Sequence, residues 1–370
     1  MQQTEATYRN KFAISQSSIK DWKELSPSEW YNKWILRVGK KKKTKSLDFG
    51  SLLDTKCFTP KDFKKRFIVS DIPVPSEKIA KIVTEVFEHL NELNENINEL
   101  NSAPAEACME KINIPSKKVS LVDNKEVVLK FAKENDYYVN KPEQAYNTVI
   151  EKGSAYFEFM KKAGNKIVIT KDQEALAMEL RDILYTNEVS KGFFAPKKGC
   201  DVVFQVQIFT DFEIVGLEGV DSIPVKGMVD IVHFNHKREE VREVDLKYTN
   251  NAYRFNSWTG PVRMFDYPSQ HSFYDYLIPR WLETYEGGKY KHYRVMNPLN
   301  VVIDDVQKLP YLYEYNSNDL YVKRYGIENT QIRGWEDTLN EIAWHLDKND
   351  WGRPREHILN GRMQINIYKK

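Results

Sequence analysis

The chain has 370 residues, 41% of them apolar and 13% aromatic, so it can build a sizeable core, and its length predicts either two domains or one core with a large insertion. Its 55 Lys and Arg against 53 Asp and Glu leave a net charge of +2, which excludes a uniformly basic surface and requires any anionic partner to meet a local patch. No run of about 18 apolar residues is present and the start lacks the apolar segment of a secretory signal, so the expectation is no membrane contact and a cytoplasmic location.

The stretch ISQSSIKDWKEL predicts a capped helix start, with Ser15 to Ser18 offering acceptors ahead of Ile19, Trp22 and Leu25. A basic loop follows, with Arg37, Lys40, Lys41, Lys42, Lys43 and Lys45 within nine positions. Leu47, Phe49, Leu52, Leu53 and Phe58 then predict a buried helix that carries Asp54 among apolar neighbours. From Pro75, the residues Ile79, Val83, Val86, Leu90, Leu93, Ile97 and Leu100 form an a/d pattern over about three heptads. That pattern predicts a long amphipathic helix packed on a partner helix, in this chain or in another copy, within an insertion spanning residues 74–146. Residues 1–73 and 147–370 are then the two parts of one core.

Helical periodicity returns from Thr148 to Leu184, followed by the strand-like runs DVVFQVQIF, VKGMVDIVHF and EVREVDLKYT. Beyond an aromatic loop from Tyr253 to Tyr267 lies a helix, PSQHSFYDYLIPRWLETY, in which Pro279 is expected to kink or interrupt the ladder. Two further strands, NPLNVVIDDV and LPYLYEYN, precede a closing helix, GWEDTLNEIAWHL. Cys57, Cys108 and Cys200 are widely spaced and odd in number, which predicts free thiols rather than a disulfide framework or a zinc knuckle. His233, His236 and His271 do not form a zinc set and read as bystanders.

Strand alternation puts Glu243, Asp245 and Lys247 on one face. If Asn235 to Glu240 is the loop of a hairpin, Phe234 pairs with Val241 and Asp230 stands opposite Asp245. Like charges there are destabilising, so a positive group is expected between them. A divalent cation fits, held by the two carboxylates and the Leu246 carbonyl, with Lys247 orienting or deprotonating a water once its pKa is depressed. That arrangement suits metal-assisted phosphodiester hydrolysis. On spacing alone, a surface hairpin with solvated charges is the commoner outcome for a D-x-K triplet.

The run G-M-V-D, fourteen residues, D-L-K and then Q-H-S-F-Y (Gln270 to Tyr274) resembles the PD-(D/E)XK nuclease superfamily, in its RecB-like branch with a Q-x-x-x-Y helix. The stretches ISQSSIKDW, TKSLDFGSLLDTKCFTPKDFKKRFIV and KIVITKDQEALAMELRDIL are similar in order and spacing to RecE-type exonucleases of the exodeoxyribonuclease VIII kind. The likeness covers roughly residues 13–70 and 148–285 and leaves out the heptad segment. It implies an α/β fold of the restriction-endonuclease-like type, a mixed central sheet flanked by helices, with a helical insertion. It also implies metal-binding aspartates at Asp230 and Asp245, a catalytic lysine at Lys247, and support from Gln270 and Tyr274.

Two positions depart from that pattern: Asp54 stands where a histidine is usual, and Gln205 near where a glutamate is frequent. An aspartate at 54 can still ligate a hard cation, whereas glutamine would weaken a second metal site. Further implications are Mg²⁺ or Mn²⁺ as cofactor and processive 5′-to-3′ exonuclease action on double-stranded DNA ends. A homo-oligomer, a single-strand annealing protein as partner in phage-type recombination, and a bacterial or phage-infected host cell are also implied. Lys40, Lys41, Lys42 and Lys43 are candidate phosphate contacts, and Arg254 and Arg263 a candidate strand clamp. Alternatives are a structure-specific endonuclease and a catalytically inactive nuclease fold used for DNA binding or assembly. Iron–sulfur relatives need four clustered cysteines, which this chain lacks.

Overall fold

A computed structural model describes residues 5–38, 45–102, 118–164, 166–255, 260–328, 330 and 332–362. The chain divides into two compact units, Met1–Pro60 with Ala177–Lys370, and Lys61–Leu176. The inserted unit is therefore wider on both sides than the expected 74–146. The first helices of the chain are α1 (Glu5–Asn10), α2 (Gln16–Trp22), α3 (Pro27–Trp34) and α4 (Lys45–Phe58), all in the larger unit. Ser15 and Ser18 form a reciprocal capping box at the start of α2, and Ser26 with Glu29 does the same for α3. These caps satisfy helix-start N–H groups and aim Ile19 and Trp30 into the core.

The smaller unit holds α5 (Phe63–Arg66), β1 (Phe67–Val69), α6 (Glu77–Ser102), α7 (Lys125–Glu134), α8 (Pro142–Ala163) and β2 (Ile167–Ile169). Strands β1 and β2 pair in parallel, which ties residues on both sides of the heptad segment into this unit. Ile79, Val83, Val86 and Leu90 of α6 pack with Val128 of α7 and Val149, Phe157 and Met160 of α8. The first half of the heptad stripe thus finds its partner helices within this chain. Gly153 makes the approach possible: a Cβ there would sit 2.7 Å from Val83 Cγ2.

Helix α9 (Lys171–Thr186) leads back to the larger unit, which continues with α10 (Lys191–Phe194), β3 (Cys200–Glu213), β4 (Ser222–Asn235) and β5 (Glu240–Tyr248). Then come α11 (Pro261–Met264), α12 (Tyr267–Leu282), β6 (Arg294–Ile303), β7 (Tyr311–Glu314), α13 (Ser317–Tyr325), α14 (Trp335–Lys348) and α15 (Arg355–Asn360). The sheet order is β3-β4-β5-β6-β7, antiparallel except for β5 and β6. A parallel pair needs a crossover, and α11 and α12 supply it. The protein is α/β, with a mixed five-stranded sheet flanked by helices.

Helix α12 lies on β3 to β6 through Phe273, Leu277 and Ile278, each fully buried and worth about 1.5–3 kcal/mol of burial. Pro279 does not end it: the helix continues to Leu282, and the proline withdraws only the one N–H that would have bonded the Asp275 carbonyl. Contact with β4 depends on Gly227, where a Cβ would meet Leu277 Cδ1 at 2.5 Å and Tyr274 Cε1 at 2.9 Å. Replacing Gly227→Ala should overpack this contact and cost about 1–3 kcal/mol in urea unfolding followed by tryptophan fluorescence. An unchanged unfolding midpoint would contradict such close packing.

Candidate active site

Antiparallel pairing of β4 and β5 follows the expected register, Phe234 with Val241, but stops at Ile231 with Val244. Asp230 and Asp245 are therefore not a ladder pair, a correction to the simple hairpin count. Val225 and Val229 share one core with Val232 and Phe234, so the alternation of faces slips by one residue at Asp230 and Ile231. On β3 the neighbouring residue is Gln205, whose φ of 51° breaks the pairing between Phe204 with Ile231 and Val206 with Val229. A non-glycine residue held there costs of order 1–3 kcal/mol, and such strain concentrates at functional sites.

The slip lets side chains take over backbone bonds. Leu246 N–H donates to Asp230 Oδ2 at 3.2 Å, and Gln205 Nε2 donates to Asp230 Oδ1 at 3.1 Å. In an extended strand a residue's N–H and C=O point to the same side, so the Leu246 carbonyl also faces β4. Asp245, 2% exposed, receives Gln270 Nε2 on Oδ1 at 2.8 Å. Its Oδ2 lies 2.7 Å from Lys247 Nζ in a buried ion pair. Lys247 Nζ also sits 4.6 Å from the centre of the Tyr267 ring.

The charges are strongly coupled. Asp230 keeps some exposure at residue level, yet burial of its carboxyl, helped by the Asp245 charge, pushes its pKa up to about 7 against the lowering pull of Lys247. For Lys247 burial acts downward, but Asp245, Tyr267 and Asp230 together outweigh it and hold the pKa above the usual lysine value. The depression that a base role for Lys247 would require is thus not present, and its ammonium is the positive group beside the two aspartates.

Helix α4 brings Asp54 toward this region. Phe49 packs on Tyr248 at 4.6 Å and Phe58 on Phe204 at 5.3 Å between ring centres. Between them Asp54 is half-buried, and the thiol of Cys57, raised first by burial, is raised further by both Asp54 and Asp230. Among the described residues, however, no group of three or more His, Cys, Asp or Glu side chains is placed to hold a metal ion. Tyr274 does not reach the carboxylates either: its hydroxyl donates to the Met228 carbonyl at 3.0 Å, so it braces β4 two residues before Asp230. Arg254 and Arg263 are exposed. Lys40, Lys41, Lys42, Lys43 and Cys108 lie outside the described residues, while Cys57 and Cys200 are free thiols.

Sequence reasoning missed two participants. Tyr267 closes over Lys247, a role that a loop boundary does not signal. His271, taken as a bystander, is fully buried between Glu243 and Asn300. Its place one residue after Gln270 was the available clue.

Toward a divalent ion the site offers carboxylate oxygens of Asp230 and Asp245 and a carbonyl facing the same side, and the Lys247 ammonium lies against the Asp245 oxygen that such an ion would have to share. No protein-family model matches this chain, and none of the curated proteins compared with it does. No helix among the described residues is long and apolar enough to cross a membrane.

Because Asp230 has a folded pKa near 7 and an unfolded one near ~3.9, the folded state takes up a proton in that window. Its contribution to stability is complete below about pH 4 and is lost as pH rises through about 7. Asp230→Asn, which keeps the shape without the charge, should therefore gain on the wild type between pH 5 and pH 8 in metal-free urea titrations. A difference in midpoint that stays constant over that range would show that Asp230 does not titrate there.

Proposed function

We propose that this protein is a metal-dependent deoxyribonuclease of the PD-(D/E)XK type, acting as an exonuclease on the ends of double-stranded DNA. The observation that carries the reading is a convergence: Asp230 and Asp245 from neighbouring strands, Lys247 two residues on, and Gln270 from the crossover helix. The mixed sheet with this hairpin at its centre supports reading the core as restriction-endonuclease-like. Processive 5′-to-3′ action, a homo-oligomer and an annealing-protein partner in phage-type recombination extend the same proposal from the sequence resemblance.

Asp230, Asp245 and the Leu246 carbonyl would hold Mg²⁺ or Mn²⁺, which supplies polarisation of the phosphoryl group and a lowered pKa for the attacking water. Gln270 fixes Asp245 by its Oδ1, leaving Oδ2 for a cation. Lys247 is an ammonium, suited to orient water and to offset negative charge growing on the phosphoryl oxygens as the P–O bond to the leaving group breaks. Tyr274 acts at one remove, by holding the Met228 carbonyl and with it β4.

A second reading, an inactive nuclease fold used for DNA binding or assembly, draws on Gln205, a neutral amide beside Asp230, and on the absence of a three-donor group among the described residues. Linear, nicked and covalently closed circular DNA, each incubated with Mg²⁺ and either wild type or Asp245→Ala, separate the readings. Loss of linear DNA alone, abolished in the variant, is the expected result. Cutting of closed circles indicates an endonuclease, and no degradation by a DNA-binding wild type indicates the inactive module. Lys247→Ala should lower turnover by about 10²–10³-fold. Ca²⁺ should sustain DNA binding without cleavage, and turnover in Ca²⁺ alone would argue against this metal chemistry.

A further inference from the structure

Behind Asp245 lies a polar cluster that the proposed chemistry does not use. Glu243, two residues earlier on β5, is 2% exposed, and its Oε1 lies 2.8 Å from His271 Nδ1. His271 Nε2 lies 3.1 Å from Asn300 Oδ1 on β6, and Asn300 Nδ2 donates to the Tyr315 hydroxyl at 2.5 Å. His271 and Asn300 are wholly shut off from solvent, and the Tyr315 ring rests 4.4 Å from the imidazole. Glu243 Oε2 is buried and accepts no hydrogen bond.

The pairing of these groups has a geometric meaning. Glu243 and Asp245 share a face of β5, while His271 and Gln270 are consecutive on α12. Two adjacent side chains of the helix therefore grip two same-face carboxylates of the strand, and Asn300 anchors the outer grip to β6. Adhesion of α12 to the sheet is already supplied by Phe273, Leu277 and Ile278, so a buried polar chain adds direction rather than strength.

We infer that the Glu243–His271–Asn300 chain is a positioning device for Asp245: it sets where α12 sits along β5 and so where Gln270 holds the Asp245 carboxylate. The inference rests on the reading of Asp245 as a metal-binding carboxylate. His271 does not touch that carboxylate itself; it acts through Gln270, which it follows directly on α12. Groups that orient a metal-binding side chain from behind typically change affinity by about 10–100-fold when removed.

The test is direct Mn²⁺ binding, read as loss of the free-ion signal in electron paramagnetic resonance, with folding of each variant checked by circular dichroism. His271→Ala should bind Mn²⁺ about 10–100-fold more weakly than wild type. The isosteric Glu243→Gln should weaken it in the same direction, and it carries the test if His271→Ala does not fold. Ser272→Ala is the control: it removes, from the same helix turn, the hydrogen bond that the hydroxyl donates to the Leu320 carbonyl and the one it accepts from Trp335 Nε1–H, so it should lower the melting temperature and leave Mn²⁺ affinity unchanged. Wild-type affinity in folded His271→Ala and Glu243→Gln, or an equal loss in Ser272→Ala, overturns the positioning role while the metal reading stands. A wild type that binds no Mn²⁺ overturns the metal reading and this inference with it.

Discussion

Two carboxylates from adjacent strands share one low-dielectric site, and the rest of the larger unit is arranged around that repulsion. Asp230 is held by Gln205 and the Leu246 N–H, while Asp245 is held by Gln270 and faces the Lys247 ammonium. Burial of carboxylates is tolerable only where each charge has partners, since an unpaired buried charge costs several kcal/mol. Here the partners come from two strands, β3 and β5, and one helix, α12, so the carboxylates constrain the hairpin, the crossover and the close approach at Gly227 together. Tyr274, caught between that glycine and the Met228 carbonyl, transmits the helix position to the strand that carries Asp230.

The strand slip turns this constraint into a site. Regular alternation would have aligned Asp230 and Asp245 in the ladder, with nothing but their own repulsion to decide their spacing. The left-handed turn at Gln205 and the end of pairing after Ile231 and Val244 free the Leu246 N–H for a side chain and turn its carbonyl toward the same gap. A cation bound there would face two carboxylates and one carbonyl, and Lys247 fills the electrostatic need in its absence. Because the ammonium pairs with Asp245, a cation on Asp245 Oδ2 would compete with Lys247 for the same oxygen, so that binding a metal there would also move the lysine.

Much of this was legible in the sequence. Alternating runs marked the three central strands, the hairpin register of Phe234 with Val241 followed from loop length, and the one-turn spacing of Gln270 and Tyr274 placed both on α12. The left-handed backbone at Gln205 was not legible, because glutamine carries no preference for it and only tertiary packing holds it there. His271 was misread since its partners, Glu243 and Asn300, are 28 and 29 residues away, and a lone histidine gives no sign of such distant contacts. Three-residue strands such as Phe67–Val69 and Ile167–Ile169 are too short for periodicity, and their pairing is what widens the inserted unit beyond the expected bounds. The heptad stripe gave the helix correctly but not its partners, which depend on Gly153 and on α7, a helix in a stretch whose sequence reads as mixed and polar.

The account turns on whether Asp230 and Asp245 jointly hold a divalent ion. Crystals grown or soaked with Mn²⁺, with anomalous diffraction recorded near its absorption edge, test this most directly. The account predicts a strong anomalous peak in contact with oxygens of both carboxylates, with Lys247 Nζ moved off Asp245 Oδ2. A site without such a peak, with the Lys247 and Asp245 pair intact at saturating Mn²⁺, would contradict it.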